Sequence, residues 1–166
     1  MAKSNITSVV PLFICVLLAL ANFAHCNHNH NDFHIEGKVY CDTCRVKFVT
    51  RVSEFLQGAT VRLTCRSMKD GSTTFTTDGK TDKDGLYSLL VPGNHDDDIC
   101  EVKPYTSPDA DCNEIVVEEN AAKVTVTNQS GIKSPVRYTN PIGFMRKTAV
   151  SSCDQVLLEL GMVPPE

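Results

Sequence analysis

Eight cysteines fall in a chain of 166 residues, and the position of the first two decides what the other six can do. Cys15 lies in an apolar run, residues 9–21, that follows Lys3 and leads to small residues at Ala24 and Cys26. A basic start, an apolar stretch of about 7–15 residues and a small-x-small exit make a secretory signal peptide. The run falls short of the ~20 apolar residues of a membrane span, and Pro11 interrupts it. Cleavage is expected after Cys26, with Ala21 or Ala24 as alternative sites that would leave Cys26 as a seventh cysteine. Removal of residues 1–26 keeps Cys41, Cys44, Cys65, Cys100, Cys112 and Cys153. An even number of cysteines in an exported domain reads as a disulfide framework, here of three bridges. Six cysteines admit fifteen pairings, and the sequence alone does not choose among them.

Two of the six sit close together, in EGKVYCDTCR at 36–45. A thiol–disulfide active site needs such a C-x-x-C at a helix N-terminus, where the thiolate is stabilised. No helical pattern follows Arg45, and VKFVTRV at 46–52 alternates like another strand. A zinc site needs a second close Cys or His pair, and the other cysteines are widely spaced. If the strand through Ile35 continues past Cys41, the offset of three puts Cys44 on its opposite face, which favours separate partners.

The exported chain is 140 residues with 15 basic and 20 acidic side chains, a net charge of about −5. A mildly acidic domain of this length buries its own core and offers phosphates no basic patch, so nucleic acid is excluded as a partner. Residues 27–34, with His28, His30 and His34, read as a flexible polar tail, although such histidines can catch a metal ion. The domain is expected over 35–166. ATVRLTC at 59–65 alternates strictly, the mark of a half-buried antiparallel strand. TTFTTDGKT at 73–81 predicts a Thr-rich edge strand, and DKDGLYSLLVPG predicts a turn and a strand with Tyr87, Leu89 and Val91 inward. CEVKPY, EIVVEE, KVTVTNQSG and PVRYTNPIGF add short strands, and the few aromatics mostly fall on core-facing strand positions. Only SSCDQVLLELG reads as helix, with Ser152 and Gln155 spaced as a capping box and Gly161 as the stop. The expected fold is all-β: a disulfide-stapled β-sandwich or small Greek-key barrel of about seven strands, with one short C-terminal helix.

Candidate chemistry is sparse. Asp82, Asp84 and Gly85 do not fit the calcium-loop spacing and are read as a hairpin turn. GNHDDD at 93–98 reads as a solvated acidic loop, with a weak cation site as the sharper alternative. His95 has no nucleophile context. No phosphate loop and no H-E-x-x-H occur, so no catalytic residue, metal ligand or cofactor is assigned. Asn128, in NQS, is an N-glycosylation acceptor in an exported chain.

Gly37, Val39, Tyr40, Cys41, Asp42, Thr43, Cys44 and Arg45 resemble the signature of the olive-pollen major allergen (Ole e I) family of secreted plant proteins. The resemblance extends through the cysteine spacing, GATVRLTC, TDKDGLYSLLVPG and NPIGFM. It implies a mostly β domain with pairs Cys41–Cys112, Cys44–Cys153 and Cys65–Cys100, often glycosylated. It also implies an extracellular location in pollen or cell wall and a non-enzymatic role in pollen hydration or pollen-tube growth. The expected activity is that of a ligand or binding module for a receptor-like kinase ectodomain or a cell-wall partner. A trypsin-like protease inhibitor is the first alternative, through the loop at 66–71 or the one near Lys133. A thiol oxidoreductase using Cys41 and Cys44 is the second.

Overall fold

The computed structural model describes residues 32–115 and 121–162. The expected signal peptide, residues 27–31 of the expected tail with His28 and His30, and Val116–Glu119 of the expected EIVVEE strand lie outside them.

Strand β1 (Asp32–Asp42) organises everything else. Its odd-numbered positions Phe33, Ile35, Val39 and Cys41 are buried, as the alternation requires. It begins three residues before the expected domain boundary at Ile35, because Phe33 is itself a core residue, paired with Val91. Along one edge β1 pairs antiparallel with β5 (Leu86–Pro92) and then with the two-residue β2 (Glu54–Phe55). Along the other it pairs parallel with β8 (Val136–Tyr138) and then with β9 (Ile142–Met145). Four segments thus share one central strand.

The second sheet is antiparallel, in the order β4 (Thr73–Lys80), β3 (Thr60–Ser67), β6 (Asp98–Thr106), β7 (Ala122–Val124). Val61, Leu63 and Cys65 of β3 and Cys100 and Val102 of β6 face the inner side of the first sheet, where Tyr87, Leu89 and Val91 of β5 meet them. The Thr-rich β4 is an edge strand, as its composition predicts. Nine strands replace the expected seven or so among the described residues. The surplus comes from the short β2 and from the break at Pro141 that divides PVRYTNPIGF into β8 and β9.

Three local expectations fail for physical reasons. Residues 46–52 do not form a strand: Arg45 (φ 60°) and Lys47 (φ 66°) take the left-handed conformation, which interrupts an extended run. Helix α1 (Cys153–Glu159) does form, but Ser152 already has helical dihedrals and makes no side-chain cap, so the capping box is not built. Its C-terminus closes as expected at Gly161, whose N–H reaches Leu158 while that of Met162 reaches Leu157. The third concerns PVRY. The parallel register sets Arg137 beside the inward Ile35, so Arg137 is buried and Tyr138 is exposed, against the expectation that aromatics mark core positions.

Three disulfides staple the sandwich, in the pairs the resemblance implied: Cys41–Cys112, Cys44–Cys153 and Cys65–Cys100. The last joins directly opposed residues of β3 and β6, whose Cα atoms are 4.0 Å apart.

Gly37 occupies a point where a side chain cannot fit. A Cβ there would strike the hydroxyls of Tyr87 and Thr139, which bond to each other across it at 2.6 Å. Burial pushes the Tyr87 hydroxyl up to about 12. Unfolded tyrosine titrates near 10, so the folded protein holds this proton more tightly. Its contribution is therefore complete below about pH 10 and is lost as the pH rises towards 12, up to about 2–3 kcal/mol. Stability followed by far-UV circular dichroism is expected to fall across that window, and less steeply in Tyr87→Phe. Equal slopes in the two proteins would assign the alkaline loss to other groups.

Candidate functional site

The signature stretch folds into a corner just past the end of β1. From Tyr40 onward both faces of the chain are covered: Tyr40 lies against Gly143 of β9, where an added Cβ would sit 2.7 Å from its ring. Burial, then the nearby Asp42 carboxylate, pushes the Tyr40 hydroxyl up to about 12. The Asp42 side chain is buried and accepts the backbone N–H of Cys44 (3.2 Å) and of Lys47 (2.6 Å). Those two bonds curl the chain back on itself. Thr43, also buried, donates its hydroxyl to the Val52 carbonyl at 2.9 Å and fastens the far side of the loop. Arg45 then reaches out from the corner to the Glu114 carboxylate (2.6 Å) and to the Arg146 carbonyl.

Within this corner the two cysteines diverge. Cys41 still belongs to β1 and bonds inward to Cys112, whereas Cys44 bonds to Cys153 at the first turn of α1. Both are buried. A cycling C-x-x-C requires its two sulfurs to bond each other and an exposed thiolate to attack. The oxidoreductase reading of Cys41 and Cys44 therefore fails on geometry. The arrangement is a structural corner.

A second assembly joins the GNHDDD loop to the loop carrying Asn128. Asp96 accepts hydrogen bonds from Asn94 (2.6 Å), Gln129 (3.2 Å) and the Thr127 hydroxyl. The Asn128 N–H reaches the Asn94 side chain at 3.1 Å, and the His95 N–H reaches the Val126 carbonyl at 2.9 Å. Asp98 accepts from the Thr74 hydroxyl (2.6 Å) and pairs with the His95 ring (2.7 Å), which hold its carboxyl below the usual range. The expected solvated acidic loop is thus in large part a hydrogen-bonded weld between two loops. His95 also lies close to Cys65 and Cys100, but these sulfurs are joined to each other and do not supply the thiolates a metal site would use. Asp82 behaves as the hairpin reading requires, accepting the N–H groups of Leu86 (2.9 Å) and Asp84 (2.8 Å), which lower its carboxyl.

Asn128 itself is exposed in a single 3-10 turn, Asn128–Ser130, entered through Thr127 and left through Gly131 at φ 76°. The stretch that follows is secured by Arg137, a residue with no motif to mark it. Arg137 is 4 % exposed, and its guanidinium stacks 4.8 Å over the Phe33 ring. It donates to the carbonyls of Thr127 (2.9 Å), Val136 (3.3 Å), Ile132 (3.4 Å) and Ser134. A signal existed only in hindsight of register: an arginine at a strand position whose neighbours alternate the wrong way.

A family model described as Pollen protein Ole e 1 like matches residues 31–161. The chain belongs to this family. It is 48 % identical over 159 residues to the anther-specific protein LAT52 of Solanum lycopersicum, covering 96 % of this chain and 98 % of that protein. Identity to the pollen allergen Che a 1 of Chenopodium album is 42 % over 165 residues, 98 % and 96 % of the two chains. Among solved structures, that of the major plantain pollen allergen Pla l 1 superposes with a TM-score of 0.67 at 34 % identity, over 74 % of this chain and 99 % of that one. Among the described residues no helix is long and apolar enough to cross a membrane.

The corner predicts a specific stability defect. Asp42→Ala removes the acceptor of the buried Cys44 N–H and of the half-buried Lys47 N–H, which costs about 1–3 kcal/mol, while Asp42→Asn keeps one acceptor and loses less. Urea midpoints of the two variants measure this, and equal midpoints would remove Asp42 as the organiser of the loop.

Proposed function

We propose that this family member is exported, with residues 1–26 removed, and acts without catalysis in the extracellular space or cell wall of pollen as a ligand for a receptor ectodomain. The observation that carries the reading is the outer face of the five-stranded sheet. Register places Leu90, His34 and Val136 in one row, Ser88, Glu36 and Tyr138 in the next, and Leu86 beside Lys38 in a third. Tyr138 is 79 % exposed and Leu90 51 %. Lys38 lies 4.4 Å over the Phe55 ring, which extends the face towards β2. Exposed aromatic and aliphatic groups around a small charged centre suit a protein partner, because such anchors supply most of the energy of an interface. The likeness to an anther-specific protein and to pollen allergens supports the tissue and the compartment.

Asn128 carries an N-linked glycan in this reading. Its exposed 3-10 turn lies in the connection between β7 and β8. The mature protein secreted by plant cells is expected to begin at Asn27 and to lose the mass of one glycan in Asn128→Gln, both read by intact mass spectrometry.

Labelled protein is expected to bind pollen-tube surfaces saturably, and the pair Leu90→Asp with Tyr138→Asp is expected to weaken that binding at least about tenfold. Saturable binding that survives both changes would move the interface elsewhere. Binding to isolated wall material alone would replace the receptor by a wall partner, and no saturable binding to either would overturn the ligand reading.

A further inference from the structure

The outer side of the four-stranded sheet is cationic, although the chain as a whole is acidic. Register sets Asp78, Arg62 and Lys103 in one row and Thr76, Thr64, Glu101 and Lys123 in the next, with Arg66 beyond them on β3. Arg62, Arg66, Lys103, Tyr105 and Ile115 line a cleft of about 260 Å³ on this side. A β-bulge shapes it. Val61 pairs with Pro104 and Thr60 with Thr106, so Tyr105 is the extra residue of β6. A bulge re-aims the side chain it carries. Here the Tyr105 ring packs against the Arg62 guanidinium at 3.8 Å and stays 48 % exposed. Ile115 adds a second exposed apolar group to the wall.

The charges around this wall do not cancel. Arg62 and Asp78 are matched, joined by two hydrogen bonds of 2.7 and 2.8 Å. Glu101, by contrast, is shared by two cations, Arg66 at 2.9 Å and Lys103 at 2.8 Å. Among the described residues lining the cleft, one positive charge is therefore left over. Glu101 takes one bond from each partner, whereas a guanidinium has five N–H donors and an ammonium three. Both cations keep donors for a second carboxylate.

We propose that the cleft is a binding site for a small organic monocarboxylate with a flat apolar body. Its carboxylate bridges Arg66 and Lys103 and completes the charge balance, while its body lies against Tyr105 and Ile115. Charge-assisted hydrogen bonds fix the orientation, and the apolar wall supplies burial. Volume limits the occupant. Sites for drug-sized ligands run to about 300–1,000 Å³, so this cleft takes a molecule of one or two rings and not a peptide or a sugar chain. The site is on the other sheet from the rows assigned above to a receptor, and it stands or falls independently of that reading.

The test titrates the secreted, disulfide-intact protein with cinnamate, followed by proton–nitrogen correlation NMR. Cinnamate is expected to bind one to one with a Kd below about 1 mM and to shift the amide signals of β3 and β6 around the cleft. Cinnamamide has the same shape without the charge and is expected to bind at least about tenfold more weakly. Acetate has the charge without the body and is expected to leave those signals in place at the same concentration. Lys103→Gln and Tyr105→Ser are each expected to weaken cinnamate binding at least about fivefold. Lys69→Gln, which removes the same charge from the exposed turn after β3, is expected to bind like the parent. The proposal is overturned if millimolar cinnamate shifts nothing, if the shifts centre on the other sheet, if cinnamamide binds as tightly, or if Lys69→Gln loses as much as Lys103→Gln.

Discussion

The sandwich depends on one strand whose backbone is satisfied on both edges along most of its length. β1 has β5 and β2 on one side and β8 and β9 on the other, so its unpaired groups are few and its register is set four times over. A slip of one residue would turn Phe33, Ile35, Val39 and Cys41 outward together and draw Cys41 away from Cys112. Hydrophobic alternation and covalent geometry thus enforce the same answer. The disulfides add to this unequally. In the chain-entropy view a bridge spanning 109 residues restrains the unfolded chain more than one spanning 35, although each closes a loop worth about 4–5 kcal/mol at most.

Two buried polar side chains do at the ends of β1 what apolar packing cannot. Asp42 gathers backbone N–H groups at the C-terminal end, and Arg137 gathers backbone carbonyls beside its N-terminal half. Burying either without partners would be costly, and both find them in irregular backbone that has no ladder of its own. The two residues therefore solve complementary problems. One completes the donors of a tight corner; the other completes the acceptors of an arched loop. A hydrophobic replacement of the same volume would leave those backbone groups unsatisfied, so neither position is free to become part of the core.

This division also marks how far the amino-acid sequence is legible. Strict alternation in β3 and β5 places Val61, Leu63 and Cys65, and Tyr87, Leu89 and Val91, on the inner faces where the structure has them. The edge position of β4 follows from its threonines, and the short helix from its apolar spacing. What escaped was tertiary in origin. Residues 46–52 alternate like a strand, but Asp42 captures the N–H of Lys47 and the run turns. Arg137 looks like a surface residue until parallel pairing with β1 turns it inward. Disulfide pairing could be supplied only by resemblance, since spacing leaves fifteen arrangements open. The acidic loop at 93–98 was read by composition, whereas its geometry is set by Asn94, Thr127 and Gln129, up to 33 residues away.

The same facts bear on the proposed role as a ligand. Loops that close or rearrange to turn over a substrate are drawn from weakly held parts of a fold. Here the connections at 42–53, 93–98 and 126–135 are each tied by side-chain bonds to backbone, and the first is also pinned to α1 through Cys44–Cys153. A surface ordered in advance gives up little conformational freedom on association. In the proposed ligand, specificity then rests on shape and on exposed anchors of the sheet face, Tyr138 and Leu90. Tyr138 follows Arg137 on β8, so one buried guanidinium orders the loop that precedes the strand while the strand itself presents the aromatic face.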